Sequence, residues 1–531
     1  MIPSTPARKA KNHTLSDEVL YHPYTGSGSE QDPYAVSWLP SDPHNPIMFS
    51  LARKVIITCI TALACFIVSF TSSAYAGSMQ GIRDEFNINK EVATIGLSLF
   101  VFGFSVGPLI WAPLSESVGR QTPFLVSFLT LAAFSAGCAG AQNIETLLVL
   151  RFFGGAFGSS PLVNAGGVIA DMFSARHRGL ALLLFASAPY LGPCLGPIVG
   201  GYLEMKAGWR WVEGFLSAAA ALAWLLMLLL VPETYAPVIL RRRAKRLSLT
   251  TGRHYESKLD IETGKTTSMA KRLKTIFVRP WVLLLREPIV LFLTIYAALI
   301  YGTLYMLFEA LPIVYQERRG WNQGVGNLPF IGVMIGVLCG VIYSLYDNKR
   351  YVGLTAQNTN GLPPPPEARL PPCMVASIAI PASLFWFAWT NSTSMHWLAS
   401  TASLIPFGFG LLLVYMGIVS YLIDAYTIYS ASLMAGMAVL RFMFGAAFPL
   451  FSDSMYSRLG IHWASCIPAF LSVLCMPLPF LIYRYGPAIR KRCKYAALAE
   501  KHLQTRRTLH TMIGEYPMHA SYYVLDNKNL G

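Results

Sequence analysis

Residues 187–203 read SAPYLGPCLGPIVGGYL. The stretch is apolar and long enough to enter a bilayer, yet it carries Pro189, Pro193 and Pro197. A proline inside a helix removes a backbone hydrogen bond and clashes with the preceding turn, at about 3 kcal/mol. Here the prolines recur every four residues, and Gly192, Gly196 and Gly200 keep the same spacing, with Gly201 beside the last. Steps of four drift only about 40° around a helix, so prolines and glycines share an arc of roughly 140°. Small residues let another helix come close, and carbonyls freed by proline need partners from neighbouring helices. The stretch reads as a kinked membrane helix with one flat face, built to seal tightly against a partner that shifts.

The rest of the chain supports a membrane reading. Of its 531 residues, 54% are hydrophobic and 13% charged, where soluble domains average about 25% charged. The charges gather at the two ends, around 240–290 and around 345–370. Between them lie twelve apolar runs between residues 55 and 484, each near the length of a transmembrane helix. The longest interruption, 232–288, follows the sixth run and holds RRRAKR at 241–246 and KRLK at 271–274. The expected organisation is therefore a disordered tail over 1–52, a six-helix bundle over 53–231, a basic loop over 232–288, a second bundle over 289–484 and a basic tail over 485–531.

The net charge of +15 is explained by Lys and Arg collecting in loops on one side of the membrane; a nucleic-acid partner is not expected. Arg53, Lys54, Arg120, Arg176, Arg178, the 241–286 cluster, Lys349, Arg350 and 489–494 all fall on that side. Both termini and the central loop are accordingly expected in the cytoplasm. The first fifty residues are polar and proline-containing, unlike a signal peptide, so the first span itself is expected to target the chain. The nine cysteines form no CxxC pair, which points to packing and away from a metal or disulfide framework. No metal or cofactor is expected. Asn391-Ser392-Thr393 is a glycosylation sequon on the outer side, but its loop is short and near the membrane. The proline-rich run at 360–372 reads as a stiff spacer.

Several residues point to mechanism. Residues 107–121, GPLIWAPLSESVGRQ, place Gly107, Glu116, Gly119 and Arg120 on a tight turn. Glu116 is positioned to accept from backbone N–H groups at a facing helix end, and Arg120 to pair with Asp171. Arg151 lies in the fourth span and Arg441 near the middle of the eleventh, where a charge costs about 2.5–3.5 kcal/mol on insertion scales. Arg151 is also near enough to an end to snorkel. Glu309, in the seventh span, reads as the only acid well inside any span. It is suited to carry a proton, pair with an arginine, or face water at the outer mouth. No histidine sits mid-span.

At these residues the chain resembles the major facilitator superfamily, and within it the fungal twelve-spanner drug:proton antiporters. GPLIWAPLSESVGRQ is similar to the superfamily's signature loop, with Glu116 in place of the usual Asp and Ser117 in place of a common Arg. Arg151 and Gly155 resemble its RxxxG motif. APYLGPCLGPIVGG resembles the motif associated with antiporters. Asp42-Pro43-His44-Asn45-Pro46 resembles the Asp-Pro-Glu-Asn-Pro box of fungal members, with His for Glu. GWRWVEGF, VPETYAPVILRRRA, REPIVLFLTIYAALIYGTLY and PEARL also look like one fungal subgroup, and the likeness covers roughly residues 40–490. It implies an all-α fold of two pseudo-symmetric six-helix bundles with substrate between them. Spans 1, 4, 7 and 10 would line the cavity, which makes Tyr75, Arg151, Asn164, Tyr301, Tyr305, Glu309 and Tyr415 candidates, with Arg441 beside them.

The expectation is a monomer in the plasma or vacuolar membrane that expels a small amphipathic toxin, drug or metabolite in exchange for protons. Polyamine antiport and nutrient uptake are the alternatives on the same fold. A polycation needs an acidic cavity, and Arg151 and Arg441 against Glu309 favour a neutral or anionic cargo. The first span, 55–77, holds no charged residue, so either Glu309 serves as proton carrier, or protonation happens at Glu116 or Asp171, or coupling is loose.

Overall fold

A computed structural model describes residues 17–40, 42–173, 178–263, 269–357 and 364–501. They fall into two compact units. The larger takes in 50–234 and 269–501, and it is helical throughout. Its helices are α1 Leu51–Ala74, α2 Lys90–Val118, α3 Gln121–Ala139, α4 Ile144–Met172, α5 Gly179–Ala207, α6 Trp209–Leu230, α7 Pro288–Pro312, α8 Phe330–Gln357, α9 Pro371–Thr390 and α10 Leu404–Ala425. A final apolar stretch, Thr427–Arg492, runs for 66 residues. At about 1.5 Å per residue it is too long for one crossing of a core about 30 Å thick. Gly460, with φ 71° and ψ 167°, breaks it in two, giving α11 (430–459) and α12 (461–475, continued by Pro477–Arg492). The eleven apolar stretches thus supply twelve crossings.

Local chemistry sets the ends. Ser50 accepts from the N–H of Arg53, Asn89 from Val92 and Asn143 from Thr146, capping α1, α2 and α4. Gly119 (φ 103°) and Gly208 (φ 88°) take backbone conformations a side chain would strain; they make the turns into α3 and α6. Helices α1–α6 and α7–α12 form two halves that meet along two seams, α2 against α11 and α5 against α8. The end that carries the 119–120 turn and the start of α1 is called the tail side, and the opposite end the far side.

The small unit corrects the expectation of a disordered tail. Its described residues are 17–40 and 42–49 together with 235–263. Strand β1, Tyr34–Val36, pairs in parallel with β2, Tyr255–Ser257. Helix Ala236–Thr251 packs Leu240, Ala244 and Leu247 against Val19, Tyr24 and Val36. The tail holds too few apolar residues to fold alone, and the missing face comes from a segment about two hundred positions later. The basic run is not all solvated either. Arg243, 7% exposed, pairs with the buried Asp42 and stacks on Trp38, and Arg241 grips Asp260 through two hydrogen bonds of 2.7 and 2.6 Å. Burial by itself would raise the Asp42 carboxyl, but Arg243 and the N–H of His44 outweigh it and hold it below the ordinary 3.8. Residues 1–16 of the first expected tail and 502–531 of the second lie outside the described residues, as do 360–363 of the proline-rich run.

Candidate functional site

The flat face of α5 meets α1, in its own half. A Cβ on Gly192 would lie 2.7 Å from the N of Phe70. One on Gly196 would strike Ser73 and one on Gly200 the carbonyl of Ala74. Gly77 lies equally close to the α5 backbone. Of the motif's glycines and prolines, those at its far-side end reach the other half. Gly201 abuts Gln323 and Asn327, and the Pro197 carbonyl accepts from Asn327 Nδ2 at 3.1 Å. The seal expected between shifting partners is thus mainly a close packing inside one half.

Glycines also place Arg151. Gly103 and Gly107 on α2 and Gly155 on α4 stand against opposing backbone; a Cβ at Gly155 would overlap the carbonyl of Phe100. This close crossing sends Arg151 inward, where it is 1% exposed. Its guanidinium donates to the carbonyls of Gly96, Thr71 and Ser72 at 3.2–3.4 Å and lies between the rings of Tyr75 and Phe100, each 4.4 Å away. Glu213, fully buried on α6, stands 3.5 Å from it. Arg151 does not take the alternative of snorkelling, and Glu309 is not the only buried acid on a spanning helix. Glu213 sits only four positions past Trp209, the first residue of α6, so its sequence position suggested a boundary residue. A buried guanidinium elsewhere in the chain needing a counter-charge was the available signal.

From Arg151 a line of polar groups crosses between the halves. Ser72, whose carbonyl accepts from Arg151, has its hydroxyl 2.8 Å from that of Tyr305 on α7. Tyr301 donates to Tyr305 at 3.4 Å. The Tyr301 ring faces Arg441 of α11 at 4.9 Å, with Tyr415 at 4.5 Å and Phe442 at 4.8 Å. Arg441 Nη1 donates to Tyr190 of α5 at 3.1 Å, and Tyr190 meets Tyr415 edge-on. Its Nε is buried with no hydrogen-bond partner. Tyr190 was not among the candidates, because it stood inside a motif read for its prolines and glycines. Tyr75 and Asn164 belong elsewhere. Tyr75 bonds the Ala93 carbonyl, and Asn164 joins Trp111 and Ser160, so both hold the first half together.

At the far side one lysine faces three carboxylates. Lys90 of α2 lies 2.7 Å from Asp453, 3.2 Å from Glu317 and 3.7 Å from Glu309. Glu309 is 1% exposed and accepts from Thr94 at 2.9 Å. At the tail side Arg120 lies 3.4 Å from Asp171. Glu116 is exposed, and the acid that receives the start of α3 is Glu233, which accepts from the N–H of Arg120 at 2.8 Å and of Gln121 at 3.3 Å. The carboxylate expected at this helix end came from the chain just past α6, beyond the reach of spacing arguments. Asn391, in the sequon, is 1% exposed with its carboxamide unpartnered among the described residues.

A central site between two six-helix halves, with paired charges at each end, is the plan of a known family. Residues 61–448 match the family model of the Major Facilitator Superfamily. The chain belongs to the major facilitator superfamily. Among the relatives of this superfamily protein, the multidrug transporter mdrA of Aspergillus fumigatus is 57% identical over 92% of the chain and 80% of the relative. The MFS-type efflux pump MFS2 of Trichophyton rubrum is 56% identical over 92% and 82%. The major facilitator-type transporter sorT of Penicillium rubens is 47% identical over 90% and 91%. Among solved structures, the proton:xylose symporter XylE aligns with a TM-score of 0.58 at 12% identity, over 82% of this chain and 96% of that one; that likeness concerns the fold. Family and relatives indicate a transporter, not an enzyme.

Proposed function

We propose that the protein exports small amphipathic organic compounds by alternating access, driven by protons, with its tail side in the cytoplasm. The similarity to multidrug and efflux pumps supports the direction. The observation that carries the coupling is the Lys90 cluster. Lys90 and Thr94 belong to one half, and Glu309, Glu317 and Asp453 to the other. Opening the far side must pull Glu309 from Lys90. Glu309 then stands with Glu317 and Asp453 without their shared cation, and a proton taken from outside relieves that repulsion. Closure restores the ammonium and returns the proton, now to the cytoplasmic side. Polyamine cargo is disfavoured, since the buried acids Glu213 and Glu309 each already face a cation.

The test is accumulation of a fluorescent dye in cells that express the chain, with and without a protonophore, and exchange in proteoliposomes. Export abolished by the protonophore is expected. Glu309→Gln should lose uphill export and keep downhill exchange. Full uphill export by that variant would remove Glu309 as proton carrier, and greater accumulation on expression would show uptake.

A further inference from the structure

Arg151, Lys90 and Arg441 are three cations of the larger unit placed at or near the meeting of its halves, and two are neutralised. Arg151 has Glu213, and Lys90 has three carboxylates. Arg441 is 7% exposed, and among the described residues no carboxylate lies within ion-pair distance of it. An unpaired buried charge is strongly unfavourable. The rings of Tyr301, Tyr415 and Phe442 relieve part of this, at about 0.5–2 kcal/mol each, but they leave Nε without an acceptor. A guanidinium offers a planar fork of donors that fits a carboxylate on two bonds. The hydroxyl of Tyr190 accepts from Nη1 across the seam between the halves, which leaves its own O–H to donate to a ligand.

We infer that Arg441, with Tyr190, Tyr301 and Tyr415, binds the carboxylate of an aromatic organic acid. This rests on the export reading and names its cargo. The acid supplies the missing counter-charge, its ring stacks on the tyrosines, and its carboxylate takes the Nε–Nη2 edge of the fork, beside the Nη1 that the Tyr190 hydroxyl holds. Because Tyr190 belongs to one half and the other three residues to the second, a bound acid contacts both halves.

The test uses the purified full chain, 1-naphthoate and its uncharged near-isostere 1-naphthamide. Binding is read by thermal stabilisation and transport in proteoliposomes under a proton gradient. The acid should bind about tenfold or more tightly than the amide, a difference of about 1.4 kcal/mol. Arg441→Gln should erase the preference by weakening the acid far more than the amide, and Tyr190→Phe should narrow it severalfold. Equal binding of the two probes, no binding of the acid, or a preference that survives in Arg441→Gln overturns the assignment. If Arg441→Gln does not fold, the wild-type ratio and Tyr190→Phe decide. Uphill movement of the amide as fast as the acid overturns the assignment and leaves export standing; movement of both only downhill tells against export itself.

Discussion

The two halves solve the same problem at their tail-side ends with the charges redistributed. In each, an arginine at the start of the third helix meets an aspartate at the end of the fourth: Arg120 with Asp171 at 3.4 Å, and Arg369 with Asp424 at 2.9 Å. In each, a glutamate ties the third helix to the sixth. In the first half it stands after α6, where Glu233 accepts from backbone N–H groups of a two-residue turn. In the second it stands before α9, where Glu367 receives both arms of Arg490 from α12 at 3.0 and 3.1 Å. The run PEARL, which reads as the end of a spacer, is thus an anchor. One elbow is held through its backbone and the other through a side-chain fork. The first is therefore stiff at the turn itself, where Gly119 leaves no room for a Cβ beside Glu233.

Three substitutions probe this difference, and one condition probes the small unit. Glu367→Ala should have the largest effect, about 3–5 kcal/mol of stability, because it strands a nearly buried Arg490; thermal unfolding of the purified protein would show it. Glu233→Ala should cost about 1–3 kcal/mol, the range for buried donors left unsatisfied. An equal loss at both sites would end the distinction between fork and backbone cap. Gly119→Ala should cost about 1–2 kcal/mol through its positive φ alone, and more if Glu233 is pushed away. Slower transport with normal binding would identify the stiff elbow as part of the moving machinery. The smallest effect at neutral pH concerns the small unit, which has neither elbow. Asp42 titrates below 3.8 in the fold, so its contribution is full above that value and is lost as the pH falls through the lowered one. Hydrogen exchange at 34–36 and 240–247 should rise only below about pH 4. A rise already at pH 6 would mean that the Arg243 pair does not hold this unit.

Apolar run length and charge placement made the twelve crossings and the break after the sixth legible, because a bilayer imposes its thickness on each segment independently. The spacing of Gly192, Gly196 and Gly200 showed that one face is flat, since helical periodicity is local. The partner of that face was not legible. Nor was the pairing of Arg151 with Glu213, of Arg120 and Gln121 with Glu233, or of Asp42 with Arg243. Each joins positions some 60 to 200 residues apart, and only a closed chain fixes such distances.

The sequence by itself determined which segments cross, where the charges lie and which residues are too costly to bury without purpose. The tertiary structure decided which of those costs are cancelled. Arg151 and Arg441 look alike along the chain, two arginines inside apolar spans. One is folded onto a carboxylate and the other onto tyrosine rings, because the electrostatic cost of a buried charge depends on what the fold brings within a few ångströms of it.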